Sequence, residues 1–141
     1  MEQSTNEYLF VYGTLLSNYG NHESNDLMKQ YAKYIGKAQL LGKLYMVDYY
    51  PGVVDCDASE KCYVRGEVYQ LLKPNELFDF LDKYEEYDLA DPEGSEYIRK
   101  KATVRLKDSK QEVEAWVYYY NQSIEDLEWL PKGDFMNEYH K

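Results

Sequence analysis

A chain of 141 residues, 44% hydrophobic and 30% charged, is long enough to bury one core and too apolar for a disordered segment. Its formal net charge of −10 excludes the basic face that a nucleic-acid backbone or an anionic membrane surface requires. No apolar run reaches the ~18 residues of a transmembrane helix, so neither nucleic acid nor membrane is an expected partner. The opening "MEQSTNEY" lacks the basic and apolar regions of a signal peptide, so a cytoplasmic location and a single domain, 1–141, are expected. Cys56 and Cys62, with His22 and His140, show no metal-ligand spacing, so reduced thiols and no metal or cofactor are expected.

In chain order, Leu9, Phe10 and Val11 form an apolar strand from about Tyr8 to Tyr12. It stops at once in Gly13 and Thr14, with no polar loop before Leu15 and Leu16. A strand that ends in a glycine turn presents backbone N–H groups to a ligand. "SNYGNHESND" is a loop of turn formers. A short helix is predicted next, capped by Ser24 or Asn25, with Leu27, Met28, Tyr31 and Ile35 on one face and Gly36 as its stop. "GKAQLLGKLYMV" reads as a strand, and "DYYPGVVD" as a loop built around Pro51-Gly52. "CYVRGEVYQL", residues 62–71, is β-branched and aromatic, hence a strand. Pro74 opens a helix that runs to about Tyr84, followed by the acidic loop "YDLADPEGSE". "YIRKKATVRL" and "EVEAWVYYY" read as an antiparallel hairpin turning at "KDSKQ". The tail, "LEWLPKGDFMNEYHK", reads as irregular, with Trp129, Leu130 and Phe135 packing down. Five or more strands and two or so helices, without regular alternation, predict an α+β fold with a small mixed, barrel-like β-sheet. The 17 tyrosines, against 4 phenylalanines, suit strands and the walls of polar pockets.

The helix "PNELFDFLDKYEEYD" carries one acid out of place. Leu77, Phe78, Leu81 and Tyr84 make an apolar stripe, and Glu85 falls four residues after Leu81 and seven after Phe78. Glu86 follows Asp79, Asp82 and Lys83 around the polar side, and Asp82, Glu86 and Asp88 read as a solvated face. A carboxylate on a core-facing position costs free energy unless paired, and burial would raise its pKa into a range useful for proton transfer. The alternative is that Glu85, at a helix end, turns outward. With a glycine turn as a source of N–H donors, the residues point to acid–base chemistry on a small polar substrate. No Ser–His–Asp set, phosphate loop or dinucleotide fingerprint competes with this.

These residues resemble the γ-glutamylcyclotransferase-like superfamily, in its AIG2-like and γ-glutamylamine cyclotransferase branch. Tyr12-Gly13-Thr14-Leu15 is similar to the YGTL signature, and Pro51-Gly52 to the PG loop. "VRGEVYQL", "LDKYEEYD", "YIRKKATV", "AWVYYYN" and "LPKGDF" follow in the family's order across residues 8–135. The resemblance implies a barrel-like fold with a cavity and a γ-glutamyl substrate. It places the catalytic glutamate on Glu85 and the substrate carboxylate on the backbone of Tyr12, Gly13, Thr14 and Leu15. Tyr97 and Tyr118 correspond to pocket-lining tyrosines, the latter within the run Tyr118, Tyr119, Tyr120 where the register can slip. The implied reaction is attack of the substrate's α-amine on its own γ-carbonyl, releasing 5-oxoproline and an amine. Phe135 stands for the usual Trp, Glu86 stands where the small-protein branch often has glycine, and the 17–26 loop is long. A non-catalytic module binding a small acidic metabolite, or a partner-binding domain, remains an alternative, because fold does not fix function. The leaving amine and the oligomeric state are not legible.

Overall fold

The computed structural model describes residues 7–13, 30–47, 50–84, 90, 91 and 93–134. Its strands are β1 (Tyr8–Val11), β2 (Ala32–Leu41), β3 (Lys43–Met46), β4 (Pro51–Val54), β5 (Tyr63–Leu71), β6 (Tyr97–Leu106), β7 (Glu112–Tyr120) and β8 (Glu128–Leu130). Helix α1 (Pro74–Tyr84) follows β5, and a 3-10 turn, Ala58–Glu60, joins β4 to β5. β1, β5, β2, β6 and β7 hydrogen-bond in that order, and β1 pairs back with β7 to close a five-stranded barrel. β4, β3 and β8 continue the sheet from β7. The β1–β7 and β4–β7 pairings are parallel and the others antiparallel, so the sheet is mixed as expected.

Period-two alternation divides the apolar residues between two cores. Phe10, Tyr12, Leu40, Val64, Val68, Val104, Val117 and Tyr119 point inward and fill the barrel. Leu9, Val11, Tyr69, Leu71, Tyr97 and Tyr118 point outward and meet Leu77, Phe78 and Leu81 of α1. The helix stripe read from the sequence is therefore the face that covers the barrel wall, and Leu77 and Leu81 are fully buried. Pro74 starts α1 at the position where a missing N–H costs least.

Several sequence expectations are corrected. Gly36 does not stop a helix; helical backbone at Gln30 and Tyr31 gives way to β2 at Ala32. β2 instead carries a bulge, since Tyr34 and Gly36 face consecutive residues of β5, Tyr69 and Val68, with Ile35 the extra residue. Pairing with β5 and β6 outweighs the helical spacing of Tyr31 and Ile35. The helix predicted before residue 30 lies outside the described residues, as do the 17–26 loop and Glu86.

Pro51 and Gly52 are not a turn but the start of β4, paired with Met46 and Tyr45. Just before them, Val47 N–H donates to Tyr50 O at 3.0 Å. Pro is tolerated as the first residue of a strand. The tail is not wholly irregular: β8 pairs with β3, and Leu130 is buried. Trp129 does not pack down; it is 46% exposed, with the Lys43 ammonium over its ring at 5.8 Å. Phe135 lies outside the described residues. Gly133 follows β8 at φ +63°, a left-handed conformation, and its carbonyl accepts from Arg65 N–H at 2.7 Å. The β6–β7 hairpin forms as predicted, with Lys110 in the left-handed region of its turn.

Candidate functional site

Four of the seven candidate site residues are described: Tyr12, Gly13, Tyr97 and Tyr118. Thr14, Leu15 and Glu85 lie outside the described residues. The four come together around the start of β4. Tyr12 donates its hydroxyl proton to Tyr118 O at 2.6 Å and accepts from Val53 N–H at 3.3 Å. Tyr97 donates to Pro51 O at 2.7 Å. A side chain at Gly13 would come within 2.8 Å of Pro51 Cδ and Cγ, so a glycine is what lets β1 end against β4.

The strand register accounts for this meeting. β7 gives the N-terminal part of one edge to β1, through Leu9 and Trp116, and the C-terminal part to β4, through Val53 and Tyr119. The end of β1 and the start of β4 therefore meet beside Tyr118. Its other edge carries β6, with Arg99 opposite Tyr118 and Tyr97 opposite Tyr120. Tyr97 lies edge-on to Tyr120 with ring centres 5.6 Å apart, and Tyr50 packs against Tyr97 at 6.3 Å. The Tyr50 hydroxyl donates to the Glu96 carboxylate. Burial, and then the Glu96 charge, raise the pKa of Tyr120.

The last turn of α1 joins the same layer through Asp82. Arg99 grips its carboxylate with two bonds, Nε to Oδ1 at 3.0 Å and Nη2 to Oδ2 at 3.2 Å. The Tyr118 hydroxyl donates to Oδ1 at 2.6 Å. The guanidinium lies over the Phe78 ring at 3.9 Å and the Trp116 ring at 4.9 Å. Asp82 is thus not part of a solvated face: its side chain is 13% exposed, and that of Arg99 15%. The correction has a simple cause. Asp82 stands four residues after Phe78, so it flanks the buried stripe rather than opposing it. Arg99, two residues after Tyr97, shares its strand face, and these two spacings were the signal available in the sequence.

Glu67 is a second buried acid near the site. It is 6% exposed, faces the α1 side of the barrel with Tyr69, and accepts from the Tyr69 hydroxyl at 3.1 Å. It pairs across β1 with Val11, two residues before Gly13. Among the described residues no group of three His, Cys, Asp or Glu side chains is arranged to hold a metal ion. Cys56 and Cys62 are unbridged. No helix among the described residues is long and apolar enough to cross a membrane.

Residues 9–137 match the family model described as gamma-glutamyl cyclotransferase, AIG2-like. A Methanocaldococcus jannaschii protein named "Putative gamma-glutamylcyclotransferase" is 37% identical over 132 residues, 92% of this chain and 95% of that one. The fold is similar to that of an AIG2-like protein from mouse (TM-score 0.68, 21% identity, 89% of this chain and 86% of that one). It is also similar to the Escherichia coli protein YtfP (TM-score 0.63, 24% identity, 92% and 96%).

Proposed function

Because the chain belongs to the AIG2-like gamma-glutamyl cyclotransferase family, we propose that it is a cytoplasmic, single-domain enzyme that cyclises a small-molecule γ-glutamyl amide or amine. The observation that carries this reading is the convergence of Tyr12, Gly13, Tyr97 and Tyr118 around Pro51–Val53, beside the last turn of α1. Glu85, the next residue after α1, is the general acid and base.

The substrate's α-carboxylate sits on backbone N–H groups of the segment Tyr12, Gly13, Thr14 and Leu15. Glu85 takes a proton from the α-ammonium group. The freed nitrogen attacks the γ-carbonyl carbon and forms the ring C–N bond. The bond from that carbon to the leaving nitrogen then breaks as Glu85 returns its proton to the departing amine; Glu85 takes the second proton from the ring nitrogen, leaving the neutral lactam, and that proton passes to the released amine or to solvent. The products are 5-oxoproline and a free amine, with no change of oxidation state and no co-reactant. Holding amine and carbonyl in contact supplies much of the acceleration, as in other intramolecular reactions.

The test is 5-oxoproline release from a panel of γ-glutamyl amines and dipeptides, read by mass spectrometry, with Glu85→Gln alongside. The variant keeps the side-chain shape and loses the proton relay, so kcat is expected to fall at least about 10²-fold. Equal activity in the variant would refute the role of Glu85. Silence from a folded wild-type protein across the panel would favour a non-catalytic module for a small acidic metabolite.

A further inference from the structure

Cys56 and Cys62 stand near the two ends of the link from β4 to β5, partly exposed and unbridged. The fold brings those ends to one place. Val54, the last residue of β4, pairs with Lys43, and Cys62 O accepts from Gly42 N–H at 2.9 Å. Gly42 and Lys43 are chain neighbours, so one corner between β2 and β3 holds both ends of the link. The link itself is tightly wound. Asp57 Oδ1 accepts from Ser59 N–H at 3.1 Å, and Glu60 Oε1 accepts from Asp57 N–H at 3.2 Å. Lys61 then turns the chain back in the left-handed region, and Lys43 pairs with Glu60 across the corner.

The thiols meet as a result. Cys56 Sγ lies 3.1 Å from Asp57 O and 3.9 Å from Cys62 O, and Cys62 Sγ lies 3.7 Å from Glu60 O. Burial, and then the charge and hydrogen bond of Cys56, raise the pKa of Cys62, so the two side chains interact directly. Side chains this close need little movement to reach the Cβ spacing of about 3.5–4.5 Å that a disulfide requires.

We propose that Cys56 and Cys62 form a dithiol oxidation site, which a small organic disulfide closes to an intrachain disulfide bond tying the end of β4 to the start of β5. One cysteine thiolate attacks a sulfur of the oxidant, breaks its S–S bond and forms a mixed disulfide, releasing one reagent thiolate. The other cysteine then loses its proton, attacks the protein sulfur of the mixed disulfide and expels the second reagent thiolate. Two electrons pass from the protein to the oxidant, and the two cysteine protons end on the released thiols. Neither cysteine belongs to the candidate site, so the proposal stands apart from the cyclotransferase reading.

The experiment holds the reduced protein in a fixed mixture of cystamine and cysteamine, traps free thiols with iodoacetamide, and reads the intact mass and the peptide spanning residues 56–62. The expected product has lost two hydrogens, carries neither reagent nor alkyl group, and runs as a single chain on a non-reducing gel. Cys56→Ser and Cys62→Ser should each stop at the mixed disulfide. The same mixture in urea separates the work of the fold from mere nearness in sequence. The ratio of closed to mixed disulfide should be at least about tenfold higher in the folded protein, because the fold holds the second thiol against the first. By linkage, the closed form should then melt about 5 °C above the reduced one. A folded protein that keeps both thiols, stops at reagent adducts or links two chains would overturn the proposal. So would a ratio no higher than in urea, or a closed form that melts below the reduced one. If a serine variant does not fold, the wild-type comparison between buffer and urea decides alone.

Discussion

Arg99→Met puts the weight of the Asp82 pair on a single measurement. Methionine is close to arginine in length and apolar, so it can keep contact with the Phe78 and Trp116 rings. What it removes is the charge and the two-pronged grip on Asp82. Breaking a buried pair by deleting one ion costs about 3–5 kcal/mol, because the other charge is left without compensation. Two features move this case to the low end. Asp82 keeps the Tyr118 hydroxyl as donor, and its side chain has 13% of its surface in water. Loss of cation–π attraction adds about 0.5–1 kcal/mol. The expected destabilisation is about 3.5–4 kcal/mol, read as a lower urea midpoint with unchanged slope. For a domain of this size that is a fall of about 10 °C in melting temperature. Adding Asp82→Leu should return most of the loss, since a matched apolar pair leaves no stranded charge. A single variant within about 0.5 kcal/mol of wild type, a level normal for surface changes, would mean that the pair is solvated and that the account of α1's anchoring is wrong. So would a double variant as unstable as the single one.

Gly133→Ala should cost about 3 kcal/mol in urea unfolding: the left-handed φ is unfavourable for alanine, and a Cβ there would lie 1.9 Å from Tyr63 O, forcing apart the strand that Gly133 O binds through Arg65. A loss under about 1 kcal/mol would show that the segment after β8 yields freely. Tyr119 has its pKa pushed up to about 12, by burial first and the Asp55 charge second. Its folded-state value lies above the unfolded one, so the stability it contributes is complete below about pH 10 and is lost as pH rises towards 12. Ultraviolet phenolate titration of Tyr119→Phe against wild type should remove one late-ionising tyrosine; a removed ionisation near pH 10 would contradict the burial.

Periodicity made the barrel strands and α1 legible. β6 and β7 occupy the segments read from alternation, and α1 ends where the stripe does, because each buries one face against a partner. Legibility failed where pairing overrode local pattern. Tyr31 and Ile35 have helical spacing, but the neighbouring edge of β5 was available to Ala32–Leu41, and a bulge absorbed the mismatch. Pro51-Gly52 has the composition of a turn and the role of a strand, because Gly52 must lie against Tyr120. Of the site, the tyrosines of β1, β6 and β7 could be named from motifs. Asp82 had only its spacing from Phe78 as a signal, because its burial depends on an arginine from a distant strand closing over it.

The ring of strands is closed by residues far apart in the chain. β1 reaches β7 through Leu9 and Trp116, and β4 reaches it through Val53 and Tyr119. During synthesis, strands β1, β2 and β5 can associate while β7 is still unmade, but only as an open sheet with bare edges. Phe10 and Val68, which the barrel encloses, would be left facing solvent at that stage. Such long-range closure is entropically slow and exposes edges that invite association with other chains. Helix α1, whose bonds are local, can form earlier and cover Leu9, Tyr69 and Leu71 before the ring is complete. In this chain the helix that frames the site is thus also a shield for the half-built sheet.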